Sequence, residues 1–285
     1  MPARQLPARQ GPAAGALQAD AQLLAAAVRE AGTIAMSFFR QDPKTWDKGD
    51  DDPVTEADLA IDRHLREALS GARPDYGWLS EESADDKSRL DRRAVWIVDP
   101  IDGTRAFVQG REHFSISVAL TLDGAPVLAA VFAPATDEFY AASAGHGATC
   151  NGTTIRVSDR PDLSSARILT SRGIFNRLRH HAEMPDADWF YRNSIAYRLV
   201  LAAAGRYDAS VTLSEKSEWD VAAGDLIVRE AGGVATDMRG KPLVYNQPLP
   251  RLDSIVAAPP QLHGPLMTAI GRELAARETG TLAID

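Results

Sequence analysis

Four short segments place carboxylates where a regular element begins or ends. They are Pro53-Val54-Thr55-Glu56-Ala57-Asp58, Trp78-Leu79-Ser80-Glu81-Glu82-Ser83, Trp96-Ile97-Val98-Asp99-Pro100-Ile101-Asp102-Gly103-Thr104 and Glu218-Trp219-Asp220-Val221-Ala222-Ala223-Gly224-Asp225. In the third, an apolar run of strand type delivers Asp99 at its C-terminal end, Pro100 stiffens the exit, and Asp102 follows after a turn. Two carboxylates and the Ile101 carbonyl can thereby converge on one hard cation, which prefers oxygen ligands. Beyond Gly103 the backbone N–H groups from Thr104 onward open a short helix, an arrangement suited to a phosphate. Each segment also has a plainer reading: D-P-x-D-G is good turn chemistry, and Asp220 caps its own helix and meets its dipole.

Other catalytic signatures fail on inspection. No G-x-x-x-x-G-K-[ST] sequence is present, Gly145-His146-Gly147 has Cys150 where a dinucleotide fingerprint needs glycine, and Ala141 to Gly145 lacks the first glycine of a nucleophile elbow. His180-His181 has no carboxylate at metal-ligand spacing in its segment and reads as a solvated pair. The lone Cys150 excludes an internal disulfide and a cysteine-based zinc site, which suits a reducing cytoplasm. With 39 acidic against 31 basic side chains the net charge is -8, which argues against a nucleic acid polymer as partner. The apolar stretch 23–39 carries Arg29 and Glu30, so no run approaches the roughly 18 residues of a membrane span.

The elements that must position the carboxylates follow from periodicity. The 285 residues suffice, at roughly 150 per domain, for one large domain or two packed halves. Residues 1–19 read as a flexible leader, 20–150 as an N-terminal α+β half carrying most of the candidate ligands, and 151–285 as a C-terminal α/β half. Helices are expected from Asp20, as N-cap, to Phe38, and from Thr55 to Leu69 with Gly71 as stop. Strands are expected at 76–79, 94–98, 114–122, 127–132 and 138–142, the middle pair joined at Asp123-Gly124. The second half alternates: strand 167–171, helix 194–204, strand 209–213, helix 219–230, strands 234–236 and 254–258, and a final helix 261–277. Such alternation predicts layers of helices and sheets.

Together and in this order, the four segments resemble the inositol monophosphatase family of magnesium-dependent, lithium-sensitive phosphatases, over residues 20–275. The resemblance implies an α/β fold, the layered αβαβα sandwich of the inositol monophosphatase and fructose-1,6-bisphosphatase type. It also implies hydrolysis of small phosphate monoesters with two or three Mg2+ per site. Carried over residue by residue, it makes Glu81, Asp99, the Ile101 carbonyl, Asp102 and Asp220 the metal ligands. An activated water oriented by Thr104, with Asp58 or Glu81 behind it, would then attack phosphorus in line. Gly103, Thr104, Ser194 and Asp220 would touch the substrate. The partner would be a small phosphorylated metabolite, and similar proteins are commonly homodimers.

Two substrates remain open at this level. Thr170-Ser171-Arg172 and Glu218-Trp219-Asp220 resemble the subgroup that acts on 3'-phosphoadenosine 5'-phosphate, although Gly173-Ile174 depart from its usual Ser-His. Arg172 and Lys216 would pair with the second phosphate, which makes a 3'(2'),5'-bisphosphate nucleotidase the leading expectation. Asn193-Ser194-Ile195 stands where inositol phosphatases carry a small Gly-Ser/Thr-Ala loop, so inositol 1-phosphate is the alternative, and a non-catalytic metal- or phosphate-binding regulator the rival.

Overall fold

In the run that begins at Ala94, Val95 and Ile97 face one core while Trp96 and Val98 face another. A strand that is apolar at successive positions must be covered on both faces, and the rest of the architecture supplies the two covers. The computed structural model describes residues 14–47, 49, 53–182 and 184–278.

The first helix, α1 (Ala14–Phe38), leads to a small hairpin of β1 (Thr45–Asp47) and β2 (Pro53–Thr55), then α2 (Glu56–Ala72). Next come β3 (Gly77–Ser80), β4 (Ala94–Asp102), the short helix α3 (Thr104–Val108), β5 (Ser115–Leu122), β6 (Ala125–Ala133), β7 (Glu138–Ser143), β8 (Ala148–Cys150) and β9 (Thr153–Thr154). The second part runs β10 (Arg167–Leu169), α4 (Arg172–Arg179), β11 (Asp188–Phe190), α5 (Ile195–Ala203), β12 (Ala209–Thr212), β13 (Lys216–Ser217) and α6 (Glu218–Glu230). It closes with β14 (Val234–Thr236), β15 (Arg251–Leu252), β16 (Ile255–Ala258) and α7 (Pro260–Glu278).

Strands β3 to β9 form a seven-stranded sheet in chain order, and β11-β10-β12-β16-β14 a five-stranded mixed sheet. Three cores separate the layers. Residues of α1 and α2 pack on one face of the large sheet through Leu24, Val28, Ile61 and Leu65 against Trp96, Val118 and Phe132. Helices α5 and α6 fill the space between the two sheets, and α4 and α7 cover the outer face of the smaller one. The result is helix, sheet, helix, sheet, helix: the expected αβαβα sandwich. At the centre, α5 and α6 approach so closely that a Cβ on Gly224 would lie 2.5 Å from Leu199 Cδ1, so only glycine fits there.

Several local expectations change. Helix α1 begins at Ala14, so 14–19 are helical, while residues 1–13 of the expected leader lie outside the described residues. Asp20 caps nothing. It is buried, accepting Arg73 Nε at 2.6 Å and the Tyr76 hydroxyl at 2.8 Å, and so ties α1 to the end of α2. Gly71 does not stop α2, which runs on to Ala72 and closes with the Arg73 N–H on the Leu69 carbonyl. Helix α4 and strand β11 were not foreseen, because eight residues with two buried apolar side chains, Phe175 and Leu178, are too short to show a period. His181 is not merely solvated: it lies 3.1 Å from the buried Glu273 carboxylate of α7, beside Arg177. No helix among the described residues is long and apolar enough to cross a membrane.

Candidate active site

A cavity of about 420 Å3 opens where β3 and β4 end and where α5 and α6 begin. Its acidic side is built by Glu81, Asp99, Asp102 and Asp220, and Ile101, Gly103, Thr104 and Lys216 share the wall. Strand β4 reaches it through an irregularity: Asp99 pairs with Ser117 and Asp102 with Ser115, so one extra residue sits on the β4 side. A bulge of this kind bends the strand and re-aims side chains, and Pro100, with no N–H to give a ladder, tolerates it. Gly103 then turns the chain with φ 95°, in a spot where a Cβ would lie 3.0 Å from the His113 carbonyl and 3.1 Å from the Ser194 nitrogen.

Three of the carboxylates are oriented by hydrogen bonds, two at the start of their own helices and one from far along the chain. Asp58 and Thr55 form a capping box on α2, in which Asp58 Oδ2 accepts from the Thr55 N–H at 2.8 Å and from its hydroxyl at 2.6 Å. Asp220 does the same on α6, accepting the Ser217 N–H at 3.0 Å, while the Ser117 hydroxyl holds the neighbouring Trp219 carbonyl at 3.2 Å. Asp102 is held from far along the chain: its Oδ2 accepts the Ser194 hydroxyl and the Ala196 N–H, both at 2.6 Å, at the start of α5. The Glu81 N–H continues the β3–β4 pairing by donating to the Val98 carbonyl at 3.2 Å.

Asp99 is the exception. It is 1% exposed, and neither carboxylate oxygen has a hydrogen-bond partner among the described residues. One carboxylate oxygen each from Glu81, Asp99 and Asp220 lie within 4.8 Å of one another. Burial, reinforced by the charges of Glu81, Asp102 and Asp220, pushes the Asp99 carboxyl well above the ordinary carboxylate range. Burial also raises Asp58 to about 6 and Asp220 to about 7, and it lifts Asp102 against the opposing hydrogen bonds of Ser194 and Ala196. A buried, unpartnered carboxylate among three others is costly unless a cation or a proton joins it. The donor set is all oxygen, so it fits hard divalent cations.

Thr104 Oγ1 donates to the Ile101 carbonyl at 2.9 Å and lies 3.4 Å from Asp58 Oδ1. Asp58 Oδ2 is already engaged with Thr55, which leaves Oδ1 toward Thr104. Ser194 lies behind Asp102 and does not belong to the cavity wall. Arg172 departs from expectation. It is exposed and outside the wall, because the Ser171 hydroxyl accepts the Ile174 N–H and caps α4, which puts Ser171 and Ile174 into the wall in its place. Glu218 likewise lies outside the cavity wall: fully buried, it accepts the Asn246 and Gln247 N–H groups at 2.7 and 2.8 Å.

The sequence reading passed over Arg198, which lines the cavity at 5% exposure with its guanidinium 4.5 Å over the Tyr191 ring. A signal existed: it is the only charged residue of α5, a nine-residue helix buried at every position. A polar residue in such a helix has to face something polar.

A model of the inositol monophosphatase family matches residues 17–274. The chain belongs to that family. As a member of the inositol monophosphatase family it is a phosphatase that hydrolyses phosphate monoesters. The inositol-1-monophosphatase of Rhizobium meliloti is 43% identical over 206 residues, covering 69% of this chain and 77% of that protein. A histidinol-phosphatase of Chlorobaculum parvum is 32% identical over 263 residues, covering 88% and 96%. The crystal structure of the extragenic suppressor protein suhB from Bartonella henselae superposes with a TM-score of 0.77 at 30% identity, covering 87% of this chain and 97% of that one.

The raised carboxyls give a sign to the pH dependence of the metal-free protein. Asp58 at about 6 and Asp220 at about 7 sit above their ordinary 3.8, so between about pH 4 and 7 the folded chain binds more protons than the unfolded one. Stability contributed by these groups is therefore greatest near pH 4 and declines as pH rises toward 7. Asp220→Asn, which keeps the carbonyl for the Ser217 N–H, should escape its share of that decline. Melting temperatures of the metal-free wild type and variant, measured from pH 4.5 to 8, are expected to diverge in favour of the variant as pH rises. A gap that stays constant with pH would contradict the assignment.

Proposed function

We propose that the chain hydrolyses small phosphate monoesters with Mg2+, held by Glu81, Asp99, Asp102, Asp220 and the Ile101 carbonyl. The observation that carries this reading is the pair of unpartnered, buried Asp99 oxygens beside Glu81 and Asp220. When bound, two or three Mg2+ would neutralise the carboxylates, lower the pKa of water and stabilise the leaving oxygen. The chain's own residues do the rest. Asp102, Asp99 and Asp220 are pre-oriented by the β4 bulge and the α5 and α6 starts. The Thr104 hydroxyl, with Asp58 Oδ1 3.4 Å away, orients the attacking water and takes up its proton's hydrogen bond. Gly103 and Thr104 line the cavity, where their backbone would border the phosphate.

Of the two substrate classes, we favour the phosphate of a small polyol such as inositol 1-phosphate. The expected clamp for a second phosphate has one arm only, since Lys216 lines the cavity and Arg172 does not. Glu218, which resembles part of the nucleotidase signature, does structural work here. The 43% identical relative that bears the name inositol-1-monophosphatase points the same way. One observation favours 3'-phosphoadenosine 5'-phosphate: Arg198 and Lys216 are both in the wall. Phosphate release from inositol 1-phosphate, 3'-phosphoadenosine 5'-phosphate and histidinol phosphate, compared by kcat/KM, decides. The highest value is expected for the inositol ester. A tenfold or larger preference for the nucleotide would hand the second-phosphate role to Arg198 and Lys216, a size consistent with one charge-assisted bond.

A further inference from the structure

Asp62 lies one helical turn beyond Asp58 on α2, so both carboxylates leave the same side of the helix. It is 8% exposed, lies outside the cavity wall and is not part of the Glu81, Asp99 and Asp220 group. Its two oxygens are nevertheless both engaged. Oδ1 accepts the Ser80 hydroxyl at 2.5 Å and Oδ2 the Ser83 hydroxyl at 2.8 Å. These serines bracket Glu81 and Glu82. The Glu82 N–H in turn donates to Ser80 Oγ at 3.4 Å, and Trp78 Nε1 to Ser83 Oγ at 3.3 Å.

We propose that Asp62 is a positioning residue for Glu81: by gripping Ser80 and Ser83 it fixes the turn that aims the Glu81 carboxylate at Asp99 and Asp220. The inference rests on the proposed role of Glu81 in holding a divalent cation, and it names what sets that role's geometry. Hydrogen bonds from hydroxyls to a buried carboxylate are charge-assisted, short and directional, so two of them bracket the turn more firmly than backbone pairing alone. The backbone extends the β3–β4 pairing to this point, with Ser80 opposite Val98 and the Glu81 N–H donating to the Val98 carbonyl, and a backbone tie by itself does not set a side chain's direction. Helix α2 thereby presents Asp58 toward Thr104 and, four residues on, clamps the segment that carries Glu81. One rigid element would set the spacing between the water-orienting pair and the metal cluster.

Asp62→Asn keeps the volume but exchanges one acceptor oxygen for a donor NH2, so one serine hydroxyl loses its charged acceptor. Ser83→Ala removes one arm at a half-buried site and leaves the helix untouched. The test is Mn2+ binding to the full chain by isothermal titration calorimetry without substrate, with Glu81→Gln in parallel and melting temperatures of the metal-free proteins recorded. Loss of an interaction behind a metal ligand typically costs 10-fold to 100-fold in affinity, and about 10-fold weaker Mn2+ binding is expected for Asp62→Asn. Ser83→Ala should weaken it in the same direction by less, and decides alone if Asp62→Asn does not fold. A purely structural residue would lower the melting temperature and leave the affinity of the folded protein unchanged. Wild-type affinity in the folded Asp62 and Ser83 variants, with Glu81→Gln weakened, overturns the positioning role while the metal reading stands. Wild-type affinity in Glu81→Gln as well overturns both.

Discussion

Asp99→Asn is expected to lower magnesium-dependent phosphate release by roughly 1000-fold or more, at the upper end of what losing one oriented electrostatic group costs an active site. The reason is placement. Asp99 is a buried carboxylate that no donor among the described residues satisfies, and it shares its surroundings with Glu81 and Asp220. An amide of the same shape offers a cation one weaker oxygen and no charge. The same substitution should stabilise the metal-free protein at pH 8. There the wild type must either keep a charge buried among carboxylates or hold a proton that the unfolded chain releases, and asparagine does neither. Opposite signs for activity and metal-free melting temperature are the mark of this site. Phosphate release and thermal melting with and without Mg2+ check it, and near-normal activity in the variant would remove Asp99 from the proposed ligand set.

Thr104→Ala is expected to reduce kcat by roughly 100-fold or more while metal affinity changes little. The hydroxyl stands between the Ile101 carbonyl at 2.9 Å and Asp58 Oδ1 at 3.4 Å, and it has a single proton to place. Asp58 is held rigidly by its capping box, so the pair can orient a water and receive its proton without rearrangement of the helix. Alanine leaves the Asp58 carboxyl, which burial raises to about 6, with nothing to connect it to that water. Kinetics at saturating Mg2+ separate the effects. Normal kcat with collapsed metal binding would make Thr104 a support for the Ile101 carbonyl and nothing more.

Much of this site is legible in sequence because much of its geometry is local. Thr55 with Asp58 and Ser217 with Asp220 are three residues apart, the spacing at which a side chain closes on its own helix start, so each pair carries its orientation within the segment. The apolar run ending at Asp99 likewise announces a strand covered on both faces, and the alternation of such runs with helical periods determines the layered class. What local pattern cannot specify is which remote groups meet. Asp102 is held by Ser194 and Ala196, which lie 92 and 94 residues further on. Arg198 enters the cavity wall because α5 is sandwiched between the two sheets, and Arg172 leaves it because Ser171 caps a helix too short to be read beforehand. Glu218, two residues before Asp220, turns to backbone N–H groups 28 and 29 residues away. Hydrogen bonds that close within one turn are written in residue order, whereas the choice between a substrate contact and a buried brace is made by the packing of whole layers.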